Sequence, residues 1–84
     1  MNSAQLKTLT AVYANPVNGA IEWRRIEALL LAVGCTVTEG SGSSVTFEKD
    51  GRRVRFHRPH AAKEALRYRV LDARAFLASL GVQP

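Results

Sequence analysis

The spacing of hydrophobic positions changes along the chain, and each spacing predicts an element. Near the start, Leu6, Leu9 and Val12 or Tyr13 recur at helical intervals behind Ser3, a residue suited to capping, so a short first helix is expected. Asn15-Pro16 ends it, because proline disfavours helical geometry in the residue before it, and Asn18-Gly19 marks a turn. The strongest helical pattern runs from about Glu22 to Val33, with Ile26, Leu29, Leu30 and Val33 at i, i+3, i+4 and i+7. Arg24, Arg25 and Glu27 take its outer side, Trp23 packs at its start, and Gly34 is placed to stop it.

From Cys35 the period falls to two. Cys35–Glu39 reads as a strand with Cys35 and Val37 inward, followed by the loop Gly40-Ser41-Gly42-Ser43-Ser44 and a second strand, Val45–Lys49. Asp50-Gly51 predicts a two-residue hairpin, because the favoured turn needs positive φ at both positions. A third strand returns over Arg52–His57. That turn pairs Lys49 with Arg52, Glu48 with Arg53, Phe47 with Val54, Thr46 with Arg55, Val45 with Phe56 and Ser44 with His57. Val45, Phe47, Val54 and Phe56 then share the core side. Arg53, Arg55 and His57 share the other side with Ser44, Thr46 and Glu48, and Arg53 reads as a cross-strand ion pair with Glu48.

Pro59 ends the strand, and Arg58-Pro59-His60 forms an irregular exit. Leu66, Tyr68 and Val70 alternate with Arg67 and Arg69, which predicts an extended stretch in which Tyr68 is open to stacking on a base, with a core position preferred. Asp72 is placed to cap a last helix with Ala73, Phe76, Leu77 and Leu80 inward, closed by Gly81. The order is helix, helix, three-strand meander, helix. An α+β fold with a three-stranded antiparallel sheet and helices on one face is the simplest two-layer solution.

Eighty-four residues, 46% of them hydrophobic, allow one modest core and exclude a two-domain enzyme with a deep cleft, so 1–84 is expected to form a single domain. The longest apolar run, Ala28 to Val33, is far below the roughly 20 residues that cross a bilayer. No secretory signal pattern is visible, and the single cysteine, Cys35, has no disulfide partner and reads as a small buried hydrophobe. The expectation is a cytoplasmic protein with no membrane partner.

Charge sharpens this picture. Residues 1–50 carry a net −1, whereas Arg52, Arg53, Arg55, Arg58, Lys63, Arg67, Arg69 and Arg74 face only Glu64 and Asp72 in the remainder, a net +6. Seven of those eight cations are arginine, whose planar fork matches phosphate oxygens in pairs. His57 and His60 lie in the same stretch. Such a segregated field suits a nucleic acid or an acidic protein, and a solvated basic face is the plainer alternative. The candidate RNA-binding surface comprises Arg53, Arg55, His57, Arg58, His60 and Lys63, with Ser41 and Ser44 of the serine-rich loop beside it. Neither a cofactor nor a metal is expected, since His57 and His60 have HxxH spacing but no third ligand nearby. The serine-rich loop joins strand to strand and lacks the lysine of a nucleotide-binding loop.

The helix ending in Gly34, the strand, Gly40-Ser41, the Asp-Gly hairpin, the exit with Pro59-His60 and the last helix ending in Gly81 resemble the HicA toxin family over residues 21–82, leaving 1–20 as an N-terminal extension. The resemblance implies a fold like the double-stranded RNA-binding domain, helix-strand-strand-strand-helix. It also implies a ribosome-independent mRNA interferase of a type II toxin-antitoxin system, neutralised by a HicB antitoxin that covers the active site. In the family the glycine-serine pair is followed within two residues by the catalytic histidine. Here Ser43 or Gly42 stands at that position, and a serine hydroxyl has no pKa near neutrality with which to act as general acid or base.

Cleaving RNA through its 2′-hydroxyl needs a base, an acid and cations for the phosphorane-like charge. His57 and His60 supply two imidazoles, and the hairpin register sets His57 across from Ser44, beside the loop. They are the candidate catalytic residues; otherwise His57 is a solvated strand-end residue and His60 steadies the exit loop. Three functions stay open: an mRNA interferase, a catalytically silent RNA-binding module, and an interaction domain docking an acidic partner such as a HicB-like antitoxin.

Overall fold

The computed structural model describes all 84 residues, Met1–Pro84. Its elements are α1 (Ser3–Val12), α2 (Trp23–Val33), β1 (Thr36–Glu39), β2 (Ser44–Lys49), β3 (Arg52–His57) and α3 (Arg67–Ser79). Helix α1 is capped one residue earlier than expected. Asn2, not Ser3, accepts the Gln5 amide at 3.0 Å, while the Gln5 side chain accepts the Asn2 amide at 2.9 Å. This reciprocal pair satisfies two amides that the first turn leaves without partners. Leu9 and Val12 are buried in the core; Leu6, expected beside them, is half exposed.

The opposite end of α1 is sealed by α3. Arg74 donates to the carbonyls of Val12 (2.8 Å) and Ala14 (2.7 Å) and to Asn15 Oδ1 (3.1 Å), where helix carbonyls lack intrahelical partners. The Tyr13 hydroxyl donates to Val82 O at 2.7 Å, and burial pushes its pKa up against the opposing pull of Arg74. In α2, Ile26, Leu29 and Leu30 are fully buried, Val33 is half-buried, and Gly34 ends the helix at φ 108°, a left-handed value that favours glycine.

The sheet is antiparallel in the order β1-β2-β3, and the β2–β3 register matches the predicted pairing at all six positions. Asp50 and Gly51 take φ 53° and 76°, as the tight hairpin turn requires. Val45, Phe47 and Phe56 are buried and Val54 half-buried. Trp23 packs on Phe56 with ring centroids 4.8 Å apart, and Phe47 meets Phe56 edge-on at 6.2 Å. Cys35 is buried, and burial raises its thiol pKa, but it lies just before β1. Val37 shares the inner side with its partner Phe47 yet is 41% exposed, because β1 is an edge strand at the margin of the helical layer.

The largest departure from expectation is at α3. The stretch from Arg67 to Val70 is helical, not extended, and Asp72 is an exposed residue inside the helix, not its cap. Val70, Ala73 and Leu77 fall at i, i+3 and i+7 and form the buried stripe, so the helical period starts a turn and a half earlier than the alternation suggested. Tyr68, expected in the core, is 56% exposed. Leu66 precedes the helix without any side-chain cap. The segment before it runs along residues 19–23 through Trp23 N to Lys63 O (2.8 Å), Ala65 N to Ile21 O (2.7 Å) and Leu66 N to Gly19 O (3.0 Å). From α2 onward the order is helix-strand-strand-strand-helix, an α+β fold of the double-stranded-RNA-binding-domain type. No helix is long and apolar enough to cross a membrane.

Candidate nucleic-acid interface

Alternation along β2 and β3 determines which side chains leave the core. Because Val45, Phe47 and Phe56 face the helices, Ser44, Thr46 and Glu48 on β2 and Arg53, Arg55 and His57 on β3 face away from them. Arg53 is exposed and pairs with Glu48 at 3.0 Å, so this cation is offset where it stands. Arg55 is exposed and carries no ion pair; its guanidinium reaches only Ser44 Oγ, at 3.4 Å. His57 is exposed at the end of β3, opposite Ser44.

The loop from Gly40 to Ser43 folds back over the start of β2. Gly40 N donates to Ser44 O at 2.9 Å and Ser44 N to Ser41 O at 3.2 Å. Ser44 is buried with its hydroxyl against Gly40, so close that a Cβ at position 40 would collide with it. Ser41 is exposed. Gly42 has φ 62° and open space around it, whereas Ser43 is half-buried and its carbonyl accepts the Arg58 amide at 2.9 Å. Of the expected loop contacts, Ser41 thus reaches solvent and Ser44 acts from beneath, through Arg55.

Arg58 has a different setting from the other surface cations. Its Nε and one terminal nitrogen donate to Glu27 of α2 at 2.7 and 3.1 Å, and both terminal nitrogens donate to Glu39 at the end of β1, at 2.6 and 2.9 Å. These contacts engage four of the five N–H groups of a guanidinium. Hydrogen bonds from Arg58 hold the Glu39 carboxyl below its ordinary pKa, and the two carboxylates, Glu39 first, raise that of Arg58. The Trp23 indole N–H also donates to Glu27. Four side chains from α2, β1 and the exit segment thereby form one knot directly between His57 and Pro59-His60.

Arg69 supports the same end of β3 from the other side. It is buried and donates to His57 O at 2.7 Å and to Ala65 O at 3.1 Å, with the Tyr68 ring 4.7 Å from its guanidinium carbon. His60 and Lys63 are exposed on the exit segment, and neither side chain makes an internal hydrogen bond or ion pair. The cationic, imidazole and aromatic side chains that face solvent between Arg55 and the first turn of α3 are therefore Arg55, His57, His60, Lys63, and also Arg67 and Tyr68. Reading the start of α3 as a strand puts Tyr68 inward and Arg69 outward, and the helix reverses both; Arg67 is outward in either reading but is not among the candidate surface residues. Sequence reasoning also missed Glu27 and Glu39 as partners of Arg58; complementary charge was visible, but nothing in the spacing brings them together. No cluster of three or more His, Cys, Asp or Glu side chains gathers to hold a metal ion.

A family model described as the HicA toxin of bacterial toxin-antitoxin systems matches residues 23–81, from the first residue of α2 to the glycine after α3. Neither a curated protein nor a solved structure matches the chain. The matched span contains the sheet, both flanking helices and every candidate interface residue, leaving out only α1, its connection to α2 and the last three residues. With that match covering most of its length, the chain belongs to the HicA toxin family.

Proposed function

We propose that this toxin binds RNA on the outer face of its sheet and cleaves it through the 2′-hydroxyl as an mRNA interferase. The observation that carries the reading is the placement of Arg55 and His57 side by side on a solvent-facing strand, with no acidic partner, in a member of a toxin family. Arg55 and Lys63 hold phosphates, with Ser41 at the loop, whereas Arg53 is offset by Glu48 and stays at the edge. Arg58 acts through position: engaged by Glu27 and Glu39, it fixes the segment that carries His57 and His60. One imidazole takes the 2′-hydroxyl proton as the oxygen attacks phosphorus, and the other delivers a proton to the departing 5′-oxygen. The products are a 2′,3′-cyclic phosphate and a 5′-hydroxyl end. The developing charge on the phosphoryl oxygens is stabilised by Arg55. The family relation supports a HicB-like antitoxin as the protein partner, its acidic groups covering the same face in the cytoplasm.

One observation favours a second reading, a silent RNA-binding module. Ser43 or Gly42 stands at the loop position where the family's catalytic histidine is expected. The two readings separate when a labelled mRNA is incubated with wild type and with the His57→Ala, His60→Ala double variant, while RNA binding is followed in parallel. Cleavage by wild type that disappears in the folded double variant supports the interferase. Binding without cleavage by either supports the silent module, and Ser43→His then tests whether the loop imidazole is the one missing part.

A further inference from the structure

We propose that the cleft between the start of α2 and the β3–α3 segment is a nucleotide subsite that continues the RNA path beyond His60. The inference rests on the RNA-binding reading and adds a place where a single nucleotide is gripped. The cleft is about 330 Å³ and is lined by Glu22, Trp23, Arg24, Pro59, Ala62 and Lys63. That volume is at the small end of the roughly 300–1,000 Å³ typical of ligand pockets, which suits one nucleotide.

Its chemistry is divided as a nucleotide is divided. Pro59, Ala62 and the one edge of the otherwise buried Trp23 that lines the cleft give apolar surface against which a base can lie. Lys63 and Arg24 supply cations for a phosphate. The one acidic group, Glu22, donates no net negative charge to the rim: its carboxylate accepts from Arg25 at 3.1 Å and from Arg24 at 3.4 Å, and those arginines hold its pKa down. Lys63 has no ion-pair partner. A mixed apolar and cationic cleft of this kind grips single-stranded nucleic acid through base contact and phosphate attraction together, with little sequence preference. The same backbone carries both sites. His57 enters the exit segment, His60 follows Pro59, and Ala62 and Lys63 complete the cleft wall, held to α2 by the Trp23 N to Lys63 O bond of 2.8 Å.

Trp23 is the only tryptophan in the chain, so its emission reports on its own surroundings. These are the cleft on one side and Phe56 and Glu27 on the other, and the Ala62→Leu variant isolates the cleft. The probe is a short single-stranded 2′-O-methyl RNA, whose blocked 2′-oxygen prevents cleavage, with anisotropy of a labelled copy reporting overall binding. Saturating wild type with RNA is expected to change the Trp23 emission. Ala62→Leu, at an exposed position, fills the cleft and should weaken binding about fivefold or more and remove the emission change. Lys63→Ala should weaken binding and lower the salt dependence by about one phosphate contact. RNA binding by anisotropy with unchanged Trp23 emission and unaltered affinity of Ala62→Leu overturns the subsite and leaves the sheet face standing, since Lys63 serves both. No binding by wild type overturns both.

Discussion

At Leu66 the backbone takes φ 74° and ψ 160°, a region open to glycine that costs a residue with a Cβ about 1–3 kcal/mol. The surroundings hold it there. Its amide donates to Gly19 O, and Gly19 is so close beneath Arg67 N that a Cβ at position 19 would sit 3.0 Å from it. Because the Leu66 side chain is 46% exposed, little packing opposes relief of the strain. Leu66→Gly is expected to raise stability by up to about 1 kcal/mol after the entropic cost of glycine, a Tm gain of about 4–8 °C per kcal/mol in a domain this size. A lower Tm in thermal unfolding would show that the leucine contacts outweigh the strain. Glu39 makes a second prediction. Its folded pKa lies below the ordinary 4.5, chiefly through hydrogen bonds from Arg58. Its stabilising contribution is thus present above pH 4.5 and fades as pH falls through the lowered value. Glu39→Gln should lower Tm at neutral pH and flatten the acid limb, so that the Tm curves converge at low pH. Glu22, held down by Arg25 and then Arg24, keeps part of the slope in the variant. Parallel curves would remove Glu39 from the acid limb.

Among the elements, α1 is the one the family match leaves out, yet it contributes Leu9 and Val12 to the core. Leu9→Ala is expected to cost about 2–5 kcal/mol in urea unfolding, whereas Leu6→Ala, at a half-exposed position, should cost far less. Equal small effects would mean that α1 is detachable. The hairpin was fully legible in the sequence, because Asp50-Gly51 fixes a local turn and alternation then places every side chain on its face. Helix α2 was legible for the same reason, as its stripe and Gly34 stop are local. The start of α3 was not. Leu66, Tyr68 and Val70 happen to alternate with arginines, and only packing reveals that Val70 belongs with Ala73 and Leu77. The candidate site divides along the same line. Arg55 and His57 follow from register, but the fate of Arg58 depends on Glu27 and Glu39, which lie 31 and 19 residues away in the chain.

For the whole molecule, the count of twelve Lys and Arg overstates the cations that a polyanion can contact directly. Arg53 and Arg58 are offset by carboxylates, and Arg69 and Arg74 are committed to backbone carbonyls. Arg52, Arg55, Lys63 and Arg67 remain without ion pairs in the basic half. RNA affinity should therefore fall with salt according to a few contacts, and Arg55→Ala should reduce that slope by about one contact. Arg58→Ala should leave the slope nearly unchanged while lowering Tm. Titrations at several salt concentrations check both, and equal slope losses would place Arg58 on the RNA. The seal between Arg74, Tyr13 and Val82 has a consequence in time. It joins groups 62 and 69 residues apart, so α1, among the first elements synthesised, finishes docking only when α3 has left the ribosome. The domain therefore closes late, when the strand meander and α3 have both been made, and not helix by helix as the chain emerges.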